Sequence, residues 1–322
     1  MIALALASTA GFGLQTFRSV AAILRSIIEL PNQVPRLRVL AYLASAALLA
    51  FAPNVCAAGE AHKPTRIVSV NLCTDELVLR LADHKNIASV TWLAATSSAS
   101  NVADLATQIP VNHGLAEEVI PFNPDLVVAG IYTARAAVAL LKRTGFPVLD
   151  LDVPRSLSEI RAQYRQVGQA LGEEERAERV IAEMDSRLAA VSVNLANPRP
   201  RAMVFNPNGY TIGKGTLTDE IITRAGMENL SATLGIDKYS QISLETVVRN
   251  AVDVLIVSAY RDGPPAMATE VLRHPVLAKI SDRTRIAVVP SRLWACAGPG
   301  NIDAIALLSN VANAVRHRDT LQ

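Results

Sequence analysis

Short apolar runs recur along this chain, each closed by polar or small residues, and they predict strands. Arg66–Val70, Ile87–Val90, Leu126–Val128 and Val148–Leu151 are such runs in the first half; Ala202–Phe205, Val254–Val257 and Ile286–Val289 follow in the second. Strands buried on both faces of a parallel sheet read as continuous apolar runs, not alternating ones. Between them lie segments with helical spacing: Thr74–Leu81 with Thr74 or Asp75 near its cap, Glu117–Pro121, Ala134–Thr144, Thr218–Ala225, Ser243–Arg249, Ala268–His274, and a last helix from about Ile302 to Val315. The alternation predicts an α/β fold: parallel sheets with helices on both faces.

The middle breaks this rhythm. Ser158–Leu171 carries Ile160, Tyr164, Val167 and Leu171 at helical spacing, and Gly172 interrupts it. Glu173–Ala196 then reads as one long helix of about 36 Å, ended by Asn197-Pro-Arg-Pro200. Acidic residues crowd its first turn, as the helix dipole favours. Because the element order before this segment repeats after it, the reading is two similar α/β lobes with central parallel sheets, joined by one long backbone helix. Residues 64–157 form the first lobe, 158–197 the helical linker and 198–322 the second lobe, each lobe with its own core.

The first 58 residues read as a leader. Arg36 and Arg38 precede an apolar run from Val39 to Phe51, and Ala57, Ala58 and Gly59 supply a small-residue cleavage site. The run is short for a membrane span, which needs roughly 20 residues. Residues 1–35 place a second apolar stretch before this signal, as a start codon assigned too early would. Cys56 follows a poor lipobox (Pro53-Asn54-Val55) and belongs to the leader. The expected location is the periplasm.

Charge changes the picture only slightly. The chain has 31 Lys and Arg against 29 Asp and Glu, and the leader takes away Arg18, Arg25, Arg36, Arg38 and Glu29. A nearly neutral mature chain gives no reason to expect nucleic acid or an anionic membrane surface as partner. Motifs for catalysis are missing: no Gly-x-Ser-x-Gly, no His-Glu-x-x-His, no Cys-x-x-Cys, and Gly213-Lys-Gly215 lacks the order of a phosphate loop. The five histidines are scattered without ligand spacing, His113 being the best of them, so no metal site is assigned. We therefore expect no catalytic residue, no cofactor and no enzyme activity.

Aromatic residues make up only 4% of the chain, so their positions carry weight. Trp92 and Tyr132 fall just after predicted strands of the first half, Tyr210 and Trp294 just after strands of the second. Ligands bind open parallel sheets at the carboxyl ends of strands, where four aromatics would wall a cleft for a large, flat, partly apolar ligand. Asn71 and Cys73 follow the first strand and Cys296 follows the last, near the same cleft. Three states are open to the two cysteines: buried free thiols, a disulfide, or thiolates touching a soft metal in a ligand.

Arg66-Ile-Val-Ser-Val-Asn-Leu-Cys-Thr-Asp-Glu-Leu77, Asn123-Pro-Asp-Leu-Val-Val128, Gly226-Met-Glu-Asn-Leu230, Ile242-Ser-Leu-Glu-Thr-Val247 and Ala251-Val-Asp-Val-Leu-Ile-Val257 together resemble periplasmic substrate-binding proteins of cobalamin and iron-siderophore importers. The resemblance covers about residues 64–316. It implies two lobes that close modestly on a ligand, and a monomer that docks on a membrane permease with a cytoplasmic ATPase. It also implies one docking glutamate per lobe. By local pattern these are Glu117, with Glu118 as competitor, and Glu245.

The ligand implied is cobalamin or a related metal chelate, since Trp92, Tyr132 and Trp294 sit where cobalamin binders place aromatics. A ferric siderophore held by Arg135, Arg261 and Arg292 is the near alternative, and heme another. Two readings from other classes stand beside these: a secreted enzyme on the same frame, and a metal chaperone or sensor using Cys73 and Cys296.

Overall fold

The computed structural model describes residues 63–133, 135–259 and 283–319, together with Pro275. The leader with Cys56, the helix expected over Ala268–His274, and Arg261 lie outside the described residues. Among the described residues no helix is long and apolar enough to cross a membrane.

The first sheet has five parallel strands in the order β3-β2-β1-β4-β5. They are β1 (Ile67–Ser69), β2 (Ile87–Thr91), β3 (Val111–Asn112), β4 (Leu126–Gly130) and β5 (Val148–Leu151). In register, Ile67 stands opposite Leu126 and Val68 opposite Val127. Both faces of the sheet are buried, which is why the sequence runs apolar without alternation. On one face Val68, Val127 and Ala129 pack on α2 (Ala116–Val119) and α3 (Arg135–Arg143). On the other, Ile67 and Val128 meet α1 (Leu72–Leu81).

The cap of α1 is Asn71, not Thr74 or Asp75. Asn71 is extended at φ −151°, and its side chain accepts from the Cys73 amide at 2.9 Å.

Two helices follow. Ser156 caps α4 (Leu157–Leu171) by accepting from Glu159 N at 3.1 Å, while Glu159 reaches back to Arg155 N at 2.7 Å, a capping box displaced by one residue. Gly172 (φ +64°) turns the chain into α5, Glu174–Ala189. At 16 residues, α5 is about 24 Å long, shorter than the expected 36 Å. Beyond it the backbone is held by side chains of the last helix instead: Ser309 Oγ donates to Ser192 O at 2.6 Å and Arg316 Nη2 to Ala196 O at 3.2 Å.

Both helices run between the two sheets. Leu157 N, at the start of α4, donates to Glu220 Oε2 in the second half (2.8 Å), and its far end turns at Gly172 beside Lys63. The start of α5 is fastened to the first half: Lys63 pairs with Glu173 at 2.5 Å, and Arg176 reaches Ala82 O at 2.9 Å and Asp83 at 3.1 Å. Its last turn pairs Arg187 with Asp303. The link is thus a two-helix hairpin.

The second sheet runs β11-β10-β6-β8, all parallel. Its strands are β6 (Arg201–Val204), β8 (Glu228–Asn229), β10 (Val254–Ala259) and β11 (Arg285–Pro290). A separate two-stranded antiparallel sheet pairs β7 (Tyr210–Ile212) with β9 (Tyr239–Gln241). Ala202, Val204, Val254 and Ile256 face α6 (Leu217–Arg224) and α9 (Gly300–Asp319). Met203, Phe205 and Leu255 face α7 (Leu230–Thr233) and α8 (Leu244–Arg249). The expectation of a separate core for each lobe needs correction. One apolar cluster continues from Ile67 and Leu81 through Ile160, Tyr164 and Ile181 to Val204 and Leu308, with a smaller cluster on the outer face of each sheet.

Candidate ligand-binding cleft

A cavity of about 630 Å³ opens where strand ends of both sheets converge, within the range of small-molecule sites. The first half contributes Asn71, Cys73, Thr74 and Leu77 from the start of α1, and Gly130, Ile131 and Tyr132 after β4. The entry to the helical hairpin contributes Asp152–Arg155, Glu159 and Gln163; the second half contributes Gly215–Thr218, Lys238, Tyr239 and Trp294–Ala297. This is the carboxyl-end crevice expected of parallel sheets.

Five of the seven expected ligand residues line it: Asn71, Cys73, Tyr132, Trp294 and Cys296. Trp92 and Tyr210 do not. Trp92 starts a 3-10 turn after β2, with its ring 6.4 Å from that of His113. Tyr210 opens β7 opposite Gln241, on the same face as Tyr239 but at the other end of the pair, and Tyr239 lines the cavity in its place. Tyr132 and Tyr239 are 73% and 64% exposed, so one bare ring stands on each side of the cleft. Tyr239 was missed because Lys238-Tyr239-Ser240-Gln241 has no strand pattern of its own.

Cys73 and Cys296 are joined as a disulfide, with Cα atoms 5.0 Å apart. This decides among the three states left open and removes the paired thiolates that a metal chaperone would need. Among the described residues, no three His, Cys, Asp or Glu side chains gather as a metal site.

Among the described residues the charged lining is Asp152, Glu159, Arg155 and Lys238, two of each sign. Arg135 and Arg292 are not in the lining; Arg292 Nη1 instead donates to Asn101 Oδ1 at 3.1 Å. Behind α1 lies a buried carboxylate. Asp75 is fully covered, accepts from Thr91 N at 3.1 Å and from the Thr91 hydroxyl, and burial pushes its pKa up to about 6 against these hydrogen bonds.

The two expected docking glutamates lie outside the cavity. Glu117 is exposed on α2, while Glu118 holds the His113 amide and, at 3.0 Å, its ring Nδ1. The hydrogen bond from the His113 amide, with the one from its ring, keeps the Glu118 carboxyl below its ordinary range. Of the two, Glu117 is therefore the carboxylate left exposed. Glu245 is exposed in the first turn of α8.

Comparison with known proteins agrees with this geometry. A family model described as periplasmic binding protein matches residues 67–281. A cobalamin-binding protein of Halobacterium salinarum is 24% identical over 211 residues, covering 64% of this chain but only 57% of that protein. An uncharacterized ABC transporter substrate-binding lipoprotein of Bacillus subtilis is 24% identical over 218 residues, covering 65% of this chain and 67% of its own. The solved structure of a periplasmic heme-binding protein from Roseiflexus sp. RS-1, in apo form, superposes with TM-score 0.62 at 24% identity, over 77% of this chain and 98% of that one.

Proposed function

Because this chain belongs to the periplasmic binding protein family, we propose that it captures a corrinoid such as cobalamin outside the cytoplasm and delivers it to the permease and ATPase of an importer. The carrying observation is the cavity wall: among the described residues Tyr132, Tyr239 and Trp294 offer aromatic surface, while two carboxylates and two cations cancel. A bulky ligand with a flat ring system, many amides and little net charge fits such a wall better than a multiply anionic ferric chelate. Two of the three arginines that a siderophore reading needs do not support it: Arg135 and Arg292 are not in the lining. The cobalamin-binding relative points the same way. Export by a cleaved leader and a monomeric state belong to this reading.

Cobalamin titration should quench tryptophan fluorescence with a dissociation constant below about 1 μM, roughly −8 kcal/mol. The quenching should vanish in Trp294→Phe and persist in Trp92→Phe, since only Trp294 lines the cavity. Persistence in Trp294→Phe with loss in Trp92→Phe would place the ligand elsewhere.

Heme is the second reading, favoured by the two exposed phenols, because tyrosine serves as an axial ligand to heme iron. It predicts hemin binding that is lost in Tyr132→Phe or Tyr239→Phe, with cobalamin silent.

For docking, Glu117→Ala with Glu245→Ala should abolish uptake while cobalamin affinity stays unchanged. Exposed ion pairs contribute little stability, about 0–1 kcal/mol each, but they set orientation and encounter rate. Undiminished uptake by the double variant would sink this assignment.

A further inference from the structure

We infer that the Cys73–Cys296 disulfide is a covalent tether between the two halves, holding the cleft in the shape that accepts its ligand. Cys73 stands in the first turn of α1, directly after β1 of the first sheet. Cys296 follows β11 of the second sheet, 223 residues away. Both line the cavity. The hairpin of α4 and α5 is the polypeptide link between the two sheets, so this bond is a second covalent link, placed at the cleft itself.

Its surroundings are built for close approach. Beside it Asn101 Nδ2, from the first half, donates to Arg292 O at 2.6 Å, and Arg292 Nη1 returns a bond to Asn101 Oδ1 at 3.1 Å. Glu76 binds Arg80 at 3.0 Å and faces Gly298 of the second half, where a Cβ would lie 3.2 Å from Glu76 Oε1 and 3.1 Å from the Tyr164 hydroxyl. At Gly300 a Cβ would fall 2.6 Å from Asn101 Nδ2. Three elements, α1, α4 and the turn before α9, therefore meet at one seam, and the disulfide closes it on the cavity side.

Two links, a hairpin and a disulfide, leave the halves less relative freedom than the hairpin alone. Opening of the cleft must then proceed about the tether. Reduction would take two electrons and two protons from a dithiol such as dithiothreitol, which is oxidised to its cyclic disulfide, and leave two thiols and one link. The binding-competent shape would then be a smaller share of the population, and apparent affinity falls by that share. This consequence for affinity rests on the ligand reading above; the tether itself does not.

The test uses the full chain, with spin labels attached through a ketone-bearing amino acid at exposed Arg143 of α3 and Arg249 of α8. The oxidised protein should give one narrow distance distribution, and Cys73→Ser/Cys296→Ser should broaden it. Cyanocobalamin and hemin are the probes: whichever binds the oxidised chain should bind the double variant about tenfold more weakly, chiefly through slower association, as a tenfold smaller competent fraction requires. Should the double variant fail to fold, the labelled wild-type chain is read before and after reduction.

An unchanged distance distribution after loss of the bond overturns the tether, whatever either ligand does. So does peptide-level alkylation of Cys73 and Cys296 in unreduced, denatured protein, because the bond would not exist. Broadening with no binding of either probe to the oxidised chain supports the tether and defeats the ligand reading.

Discussion

Gly213→Ala is expected to destabilise this protein by about 3 kcal/mol and to weaken ligand binding in the fraction that still folds. A Cβ at Gly213 would stand 1.9 Å from Ile236 O, with the Ile236 carbonyl carbon at 2.6 Å. That carbonyl already accepts from Lys214 N at 3.0 Å, and Gly213 N donates to Lys238 O at 2.8 Å. The obstacle is paired backbone, which has no rotamer to move, so the β7–β9 pair must part. Lys238 and Tyr239 ride on that pair and wall the cavity, so the damage reaches the site. Gly215→Ala is the control. It has φ +74° but open space around its Cβ, so only backbone strain of about 1 kcal/mol is expected. Equal melting shifts for the two variants would refute the steric argument.

Asp75→Asn is expected to stabilise the protein at neutral pH by up to about 3 kcal/mol, an advantage that shrinks toward pH 4. The folded protein holds the Asp75 proton to about pH 6, while the unfolded chain releases it near the ordinary 3.8. Across that window the native state binds more protons. The contribution is thus fully present below 3.8, is lost as pH rises through 6, and stays lost above. Asparagine keeps an acceptor for Thr91 N and offers a donor to the Thr91 hydroxyl, without a charge to bury. Denaturant unfolding of both proteins from pH 4 to 8 checks this. Parallel stability curves would mean that Asp75 does not titrate as its burial dictates.

Seven of the strands could be read from the chain because burial of a short apolar run is a local property. Ile67–Ser69, Leu126–Gly130, Arg201–Val204 and Val254–Ala259 all fall where the apolar runs stand, to within about two residues. Helix ends were less legible. The expected long helix stops at Ala189 because residues beyond it gain hydrogen bonds from Ser309 and Arg316, more than a hundred positions away. Nothing within residues 190–196 announces this.

The site divides along the same line. Residues just after the strands of the two main sheets, such as Asn71, Tyr132 and Trp294, were legible because a parallel sheet sends its strand ends to one edge. Tyr239 and Lys238 were not, since they reach the cavity through pairing with β7 across 26 intervening residues that include α6 and α7. Glu117 and Glu118 look alike as neighbours in sequence; only the fold brings His113 onto one of them.

By itself, then, the sequence determined the α/β class, the doubled parallel architecture and the edge on which the cavity opens. These follow from apolar runs of a few residues and the turns that end them. The tertiary structure alone decided that Cys73 and Cys296 bond, which aromatics face the cleft, and that one core runs beneath both sheets. Those depend on distances between residues far apart in the chain, which local pattern does not encode.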